Sequence, residues 1–175
     1  RRVVSLDLTE PDPHAVEIIA EDADNAVLND AALMGNGLFI AYLVDAKTEI
    51  RRFSMNGAFD GMVGLPGIGT AGGFQGRPGD TEAFFGFTAF DAPTAIYRYD
   101  TQINSVKPWA EPKASLDPND IAVEQRFYRS KDGTEVPIFI VRRKDVTTAA
   151  PTLLYGYGGF GIPQLPYYNP IQLAW

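Results

Sequence analysis

The feature that most limits what this chain can become is an internal repeat. Asp45-Ala46-Lys47-Thr48-Glu49-Ile50-Arg51-Arg52-Phe53 aligns with Asp91-Ala92-Pro93-Thr94-Ala95-Ile96-Tyr97-Arg98-Tyr99, 46 residues later. Asp, Ala, Thr, Ile and Arg are identical, and an aromatic residue closes both copies. The segments ahead of them also correspond, one residue out of step: Leu38-Phe39-Ile40-Ala41-Tyr42 and Ala83-Phe84-Phe85-Gly86-Phe87. Val3-Val4-Ser5-Leu6-Asp7-Leu8 takes the place that the Ile50 and Ile96 segments hold later. Each unit reads as a short apolar strand, a turn, an alternating strand and a turn, with few helix signals. Such a period is that of β-propeller blades, small antiparallel sheets that bury their faces only against neighbouring blades. The chain holds two full periods and part of another. Propellers close with about four to eight blades, so these residues make part of a propeller and not a closed one.

With 175 residues and 45% hydrophobic content the chain can bury a sizeable core, in one domain or two modest ones. The net charge is -7, and the longest basic run is Arg142-Arg143-Lys144, which argues against nucleic acid and anionic membrane as partners. No run approaches the roughly 20 apolar residues of a membrane span. Arg1-Arg2 leads straight into a strand-like segment, without the pattern of a signal peptide. The absence of cysteine excludes disulfides, thiolate metal sites and a cysteine nucleophile, and leaves the compartment open between cytoplasm and periplasm. The lone histidine, His14, sits in Pro11-Asp12-Pro13-His14 and reads as a surface-loop residue.

Two stretches imitate binding motifs, and neither supports a cofactor or a metal. Gly67-Ile68-Gly69-Thr70-Ala71-Gly72 has the dinucleotide glycine spacing. That motif needs a helix next, to meet the pyrophosphate, whereas Gly73-Phe74-Gln75-Gly76-Arg77-Pro78-Gly79 cannot start one. An inter-strand loop is expected. Glu21-Asp22-Ala23-Asp24 suggests calcium, but Ala26 and Val27 stand where an oxygen ligand and a glycine belong, so a solvated loop is expected.

The repeat stops at the polar, proline-bearing Glu111–Asp120, which reads as a domain linker. Residues 122–130 and 134–141 then alternate around Asp132-Gly133, a strong hairpin signal. Ile138-Phe139-Ile140-Val141 suggests that the second strand is the more buried. After Pro151, Thr152-Leu153-Leu154-Tyr155 is too short for a helix and reads as a buried strand. It runs into Gly156-Tyr157-Gly158-Gly159-Phe160. Glycines there admit backbone conformations closed to other residues, and Tyr157 offers a neutral phenol that donates one hydrogen bond. Asn169-Pro170 is an N-cap followed by a first-turn proline, so a helix begins near the end of the sequence.

Tyr155-Gly156-Tyr157-Gly158-Gly159-Phe160, together with Tyr128-Arg129-Ser130-Lys131-Asp132-Gly133-Thr134, resembles the prolyl oligopeptidase family of serine peptidases. Asp80-Thr81-Glu82-Ala83-Phe84-Phe85 and Val136-Pro137-Ile138-Phe139-Ile140-Val141 add to the likeness, in family order. The resemblance implies a seven-bladed propeller capping an α/β-hydrolase domain. It places the last blades in residues 1–116 and the first hydrolase strands in 117–175. It further implies a proline-containing oligopeptide as substrate, cut after proline, with the propeller restricting access. The other blades and the triad-bearing segment of the same enzyme are the implied partners.

Two site residues follow from the resemblance. Tyr157 matches the tyrosine whose hydroxyl lies in the oxyanion hole, and Phe160 a phenylalanine at the pocket for the proline ring. Tyr155 is expected to pack against the sheet. Gly161 stands where asparagine is common in the family. None of the five serines (Ser5, Ser54, Ser105, Ser115, Ser130) sits in a nucleophile elbow, and His14 lies in the propeller part. In the family the triad lies further along the chain. Two alternatives stay open: a related oligopeptidase or esterase of different specificity, and a non-enzymatic propeller acting as an interaction module.

Overall fold

The computed structural model describes residues 1–22, 26–114 and 117–175. Strands β1 (Val3–Ser5) and β2 (Val16–Ile19) form an antiparallel pair. Two four-stranded antiparallel meanders follow. One is β3 (Val27–Met34), β4 (Gly37–Val44), β5 (Lys47–Ser54) and β6 (Phe59–Val63). The other is β7 (Gly69–Gln75), β8 (Glu82–Ala89), β9 (Ala95–Asp100) and β10 (Ser105–Ala110). These are the two full blades that the repeat predicts, and the opening pair belongs to an earlier one. β1 is shorter than the sequence suggests, ending at Ser5, and Leu8 beyond it is exposed.

The repeat maps strand onto strand. Ile50 of β5 pairs with Ala41, and Ile96 of β9 with Gly86. The slip of one residue is taken up in the turns. Asp45 and Ala46 both have positive φ, 48° and 62°, and close β4–β5 as a two-residue hairpin. In the second copy Pro93 replaces Lys47, which pairs with Val44 in the first. Proline has no amide to give a ladder, and a longer loop, Phe90–Thr94, joins β8 to β9.

The repeat also fixes which face packs on what. Phe39 and Ile50 join Val63, Ala71, Phe85, Phe87 and Tyr99 in a core between the blades, while Ile40 and Tyr42 face a second core with Ile19. β4 is therefore buried on both sides, as its continuous apolar run requires. Phe53 and Tyr99, the aromatic ends of the two copies, each face the preceding blade. The equivalent outer face of the second blade is partly open, with Ile96 and Trp109 exposed and Trp109 edge-on to Phe84. Between the blades, the Ala71 amide donates to the Thr48 hydroxyl at 3.1 Å.

Two expectations are corrected here. The glycine-rich stretch is not a loop, because Gly69–Gln75 is β7 itself. Glycine is needed at residue 69 because a Cβ there would stand 2.2 Å from the Phe87 ring. Asp22 is not in a solvated loop either. It pairs with Arg51, a residue whose guanidinium also lies 4.4 Å from the centre of the Tyr42 ring and 3.6 Å from Glu49. Ala23 and Asp24 lie outside the described residues, as does Ser115 in the linker.

Strands β11 (Ile121–Arg129) and β12 (Glu135–Arg143) form a separate hairpin. Gly133 has φ 89°, and the Thr134 amide is held by the Asp132 carboxylate at 3.0 Å. β12 is not the buried strand its apolar run suggests. Ile140 and Val141 point to opposite faces and both are exposed, because nothing covers either face of the two-stranded ribbon at that end. Helix α1 (Pro170–Ala174) begins where expected, with the Asn169 side chain accepting from the amides of Ile171 and Gln172.

Candidate active site

The hairpin is tied to the propeller at the turns of both blades. The Gln125 side chain donates to the Asp45 carbonyl at 2.7 Å and accepts from Lys47 Nζ at 2.8 Å. Phe139 of β12 meets Phe90, in the β8–β9 loop, at 5.3 Å between ring centres. The lengthened turn of the second blade thus supplies an aromatic contact that the tight Asp45-Ala46 turn cannot. A cavity of about 500 Å³ lies beside this junction, lined by Pro66, Phe87, Tyr97, Ile121 and Lys144 among others. Neither Tyr157 nor Phe160 is among its lining residues.

Beyond β12 the polypeptide crosses the surface. Thr152–Tyr155 forms no strand, and Leu153, Leu154 and Tyr155 are exposed. The expected buried strand, and the packing of Tyr155 on a sheet, are both corrected. A strand needs a hydrogen-bonded neighbour, and β11–β12 pairs only with itself.

The loop that follows has a defined backbone. Gly158, Phe160 and Gly161 all lie in the left-handed region, with φ of 70°, 54° and 65°. The Ile162 amide donates to the Gly159 carbonyl at 3.1 Å and closes the turn. Two of these positions carry glycine, which adopts the region freely. Phe160 holds it against the preference of a bulky side chain and turns its ring outward, 94% exposed. Tyr157 is 52% exposed. Its ring lies beside Gly159, where a Cβ would be 3.7 Å from Cε1. The structure thus places Tyr157 and Phe160 in one exposed loop, Phe160 within the Gly159–Ile162 turn and Tyr157 two residues before that turn.

The other candidates stand elsewhere. His14 is an exposed loop residue 3.7 Å from Glu10. Ser54 is bound within the β5–β6 turn by Asn56 and Ala58, and Ser130 lies in the β11–β12 turn. What sequence reasoning missed are the groups that attach this region to the blades: Gln125, Phe139, Thr70 and Thr88.

Two packed four-stranded antiparallel meanders are the blades of a β-propeller protein. The family model for the prolyl oligopeptidase N-terminal β-propeller domain matches residues 1–112. The chain belongs to the prolyl oligopeptidase family of peptidases. It is 32% identical over 178 residues to a prolyl endopeptidase of Elizabethkingia miricola, covering 99% of this chain and 25% of the relative. It is 34% identical over 181 residues to a dual function macrocyclase-peptidase of Amanita bisporigera, covering 99% and 24%. A solved prolyl endopeptidase superposes with TM-score 0.88 at 41% identity, covering 99% of this chain and 25% of that one. Prolyl oligopeptidase B of Galerina marginata superposes at 0.83 with 30% identity, covering 98% and 25%. The chain thus spans about a quarter of the length of these relatives.

Proposed function

We propose that residues 1–116 are the last blades of a propeller and residues 117–175 the opening part of an α/β-hydrolase domain. The two belong to a serine peptidase that hydrolyses short peptides on the carboxyl side of proline. In this reading Tyr157 donates to the oxyanion and Phe160 lines the proline pocket. The propeller gates substrate access, and nucleophile, base and orienting acid come from the rest of the enzyme.

The observation that carries the reading is the exposed loop itself. Attack on a peptide carbonyl places negative charge on its oxygen. A phenol hydroxyl fixed against that oxygen in a site closed to water favours that charge over the ground-state carbonyl. Phe160 offers an apolar face to a pyrrolidine ring from the same loop. A propeller acting only as an interaction module has no use for such a donor.

The test is Tyr157→Phe in the full-length protein. One oxygen is lost from an exposed ring, so stability holds. Turnover of a proline-containing peptide falls by about 10²–10³-fold, the range for one oxyanion donor. The fall appears mainly in kcat, since the interaction is strongest in the transition state. Turnover within about twofold of wild type, far short of that donor effect, removes the assignment.

A further inference from the structure

From residue 122 to residue 175 one residue is buried, Pro166, and it is fully buried. Its backbone is bound to the second blade. Thr70 of β7 and Thr88 of β8 are register partners on the face turned away from the blade–blade core. The Thr70 hydroxyl donates to the Pro166 carbonyl at 2.7 Å. The Thr88 hydroxyl accepts from the Tyr168 amide at 3.3 Å and donates to the Ala92 carbonyl at 3.3 Å. The carbonyl of residue 166 and the amide of residue 168 are the pair that an extended segment offers a neighbouring strand. Two side chains stand in for that strand. Only Pro163, Gln164 and Leu165 separate this anchor from the turn closed by Ile162, which carries Phe160.

We propose that Thr70 and Thr88 form a clamp on Pro166–Tyr168 that fixes the Tyr157–Phe160 loop relative to the propeller, making both threonines positioning residues for the reaction. The proposal rests on the reading of Tyr157 given above. Among the described residues, the hydrogen bonds that tie this stretch to another element run to the second blade, just past the turn. A clamp of hydroxyls also leaves the β7–β8 ladder intact whether it is closed or open.

The test uses the full-length protein with Thr70→Val and Thr88→Val, which keep side-chain volume and remove the hydroxyl, and with Thr70→Ser, which restores it. Deuterium exchange at residues 157–168 speeds up at least about tenfold in the valine variants, as a buried carbonyl or amide loses its partner. Thr70→Ser exchanges like wild type. kcat falls roughly ten- to a hundredfold with KM little changed, the cost of a misplaced catalytic group. In a Tyr157→Phe background, Thr70→Val lowers kcat by less than about twofold, because the group it positions is already gone. A purely structural loss would lower active enzyme equally in both backgrounds. Should the valine variants fail to fold, Tyr168→Pro deletes the amide on the other side of the contact and leaves the blade untouched. Unchanged exchange in the variants overturns the clamp, whatever Tyr157 does. Fast exchange with a harmless Tyr157→Phe overturns the role in catalysis, together with the oxyanion reading, and leaves only a tie.

Discussion

Phe39 and Tyr99 meet edge to face across the interface between the two blades, ring centres 5.4 Å apart at 74°. The contact continues as a polar bridge. The Tyr99 hydroxyl donates to Asn104 at 3.0 Å, and the Asn104 amide donates to the Met62 carbonyl, back in the first blade, at 3.0 Å. Phe39→Ala should cost about 3–5 kcal/mol, the range for a buried phenylalanine. Tyr99→Phe removes one hydrogen bond and should cost about 1 kcal/mol. Denaturant unfolding of the full-length protein measures both. Equal effects would mean that the ring contact carries no more than the hydroxyl.

The same tyrosine gives the blades a pH limit. Burial holds the Tyr99 phenol above its ordinary value of 10.0, and burial raises Tyr42 and Tyr97 likewise. A folded pKa above the unfolded one stabilises the neutral phenol. That contribution is whole below the unfolded value and is lost as pH rises through the folded one. Melting temperature should therefore fall above about pH 10, and Tyr99→Phe should soften the fall. Parallel wild-type and variant curves above that pH would exclude Tyr99 as a cause.

Gly69 and Gly72 lie on the same strand and separate two uses of glycine. A Cβ at Gly69 meets Phe87 at 2.2 Å and the Thr88 carbonyl at 2.5 Å, whereas one at Gly72 meets nothing within 4 Å. Gly69→Ala should destabilise by about 1–3 kcal/mol or more through overpacking. Gly72→Ala should be near neutral or gain a few tenths of a kcal/mol from a less flexible unfolded chain. Thermal melts of the two variants check the contrast, and equal losses would refute the packing account.

How much of this was legible in the sequence depends on where each residue finds its partner. The strands of both blades could be read because their partners lie within the same repeat, as Ile50–Ala41 and Ile96–Gly86 show. Asp132-Gly133 set its hairpin locally. Thr152–Tyr155 misled, because an apolar run specifies a strand only where another strand pairs with it. The glycines of β7 misled in the opposite direction, since a stretch poor in side chains looks like a loop until Phe87 is seen lying over Gly69. The ties Thr70–Pro166 and Thr88–Tyr168 join residues far apart in the chain, and no local pattern marks them. Tyr157 and Phe160 were singled out through family likeness, and the structure adds that both lie in one exposed loop.

Residues 1–175 on their own should neither hydrolyse peptides nor fold as one cooperative unit. The outer face of the second blade leaves Ile96 and Trp109 in solvent, and Leu153, Leu154 and Phe160 are exposed beyond the hairpin. Open sheet edges and apolar faces favour association. Size-exclusion and calorimetry on the isolated chain decide. A monodisperse monomer with one sharp transition would contradict the expectation, as would labelling by a serine-reactive probe.

The last prediction separates the ring of Phe160 from its backbone. Its φ of 54° is costly for a bulky residue and free for glycine, and its side chain is almost wholly exposed. If the ring walls the proline pocket, Phe160→Ala in the full-length protein should leave stability nearly unchanged. It should weaken a proline-containing substrate by roughly ten- to a hundredfold, the equivalent of about 1.5–3 kcal/mol of apolar burial. The loss should fall mainly on KM, because the ring touches substrate and transition state alike. A substrate with alanine in place of proline buries less against that wall and should lose less, so discrimination between the two narrows. Phe160→Gly removes the same ring and also relieves the backbone, so it should match Phe160→Ala in specificity while equalling or exceeding it in stability. Should the glycine variant keep wild-type discrimination while the alanine variant loses it, the turn's conformation and not the ring sets specificity, and Phe160 is no pocket wall.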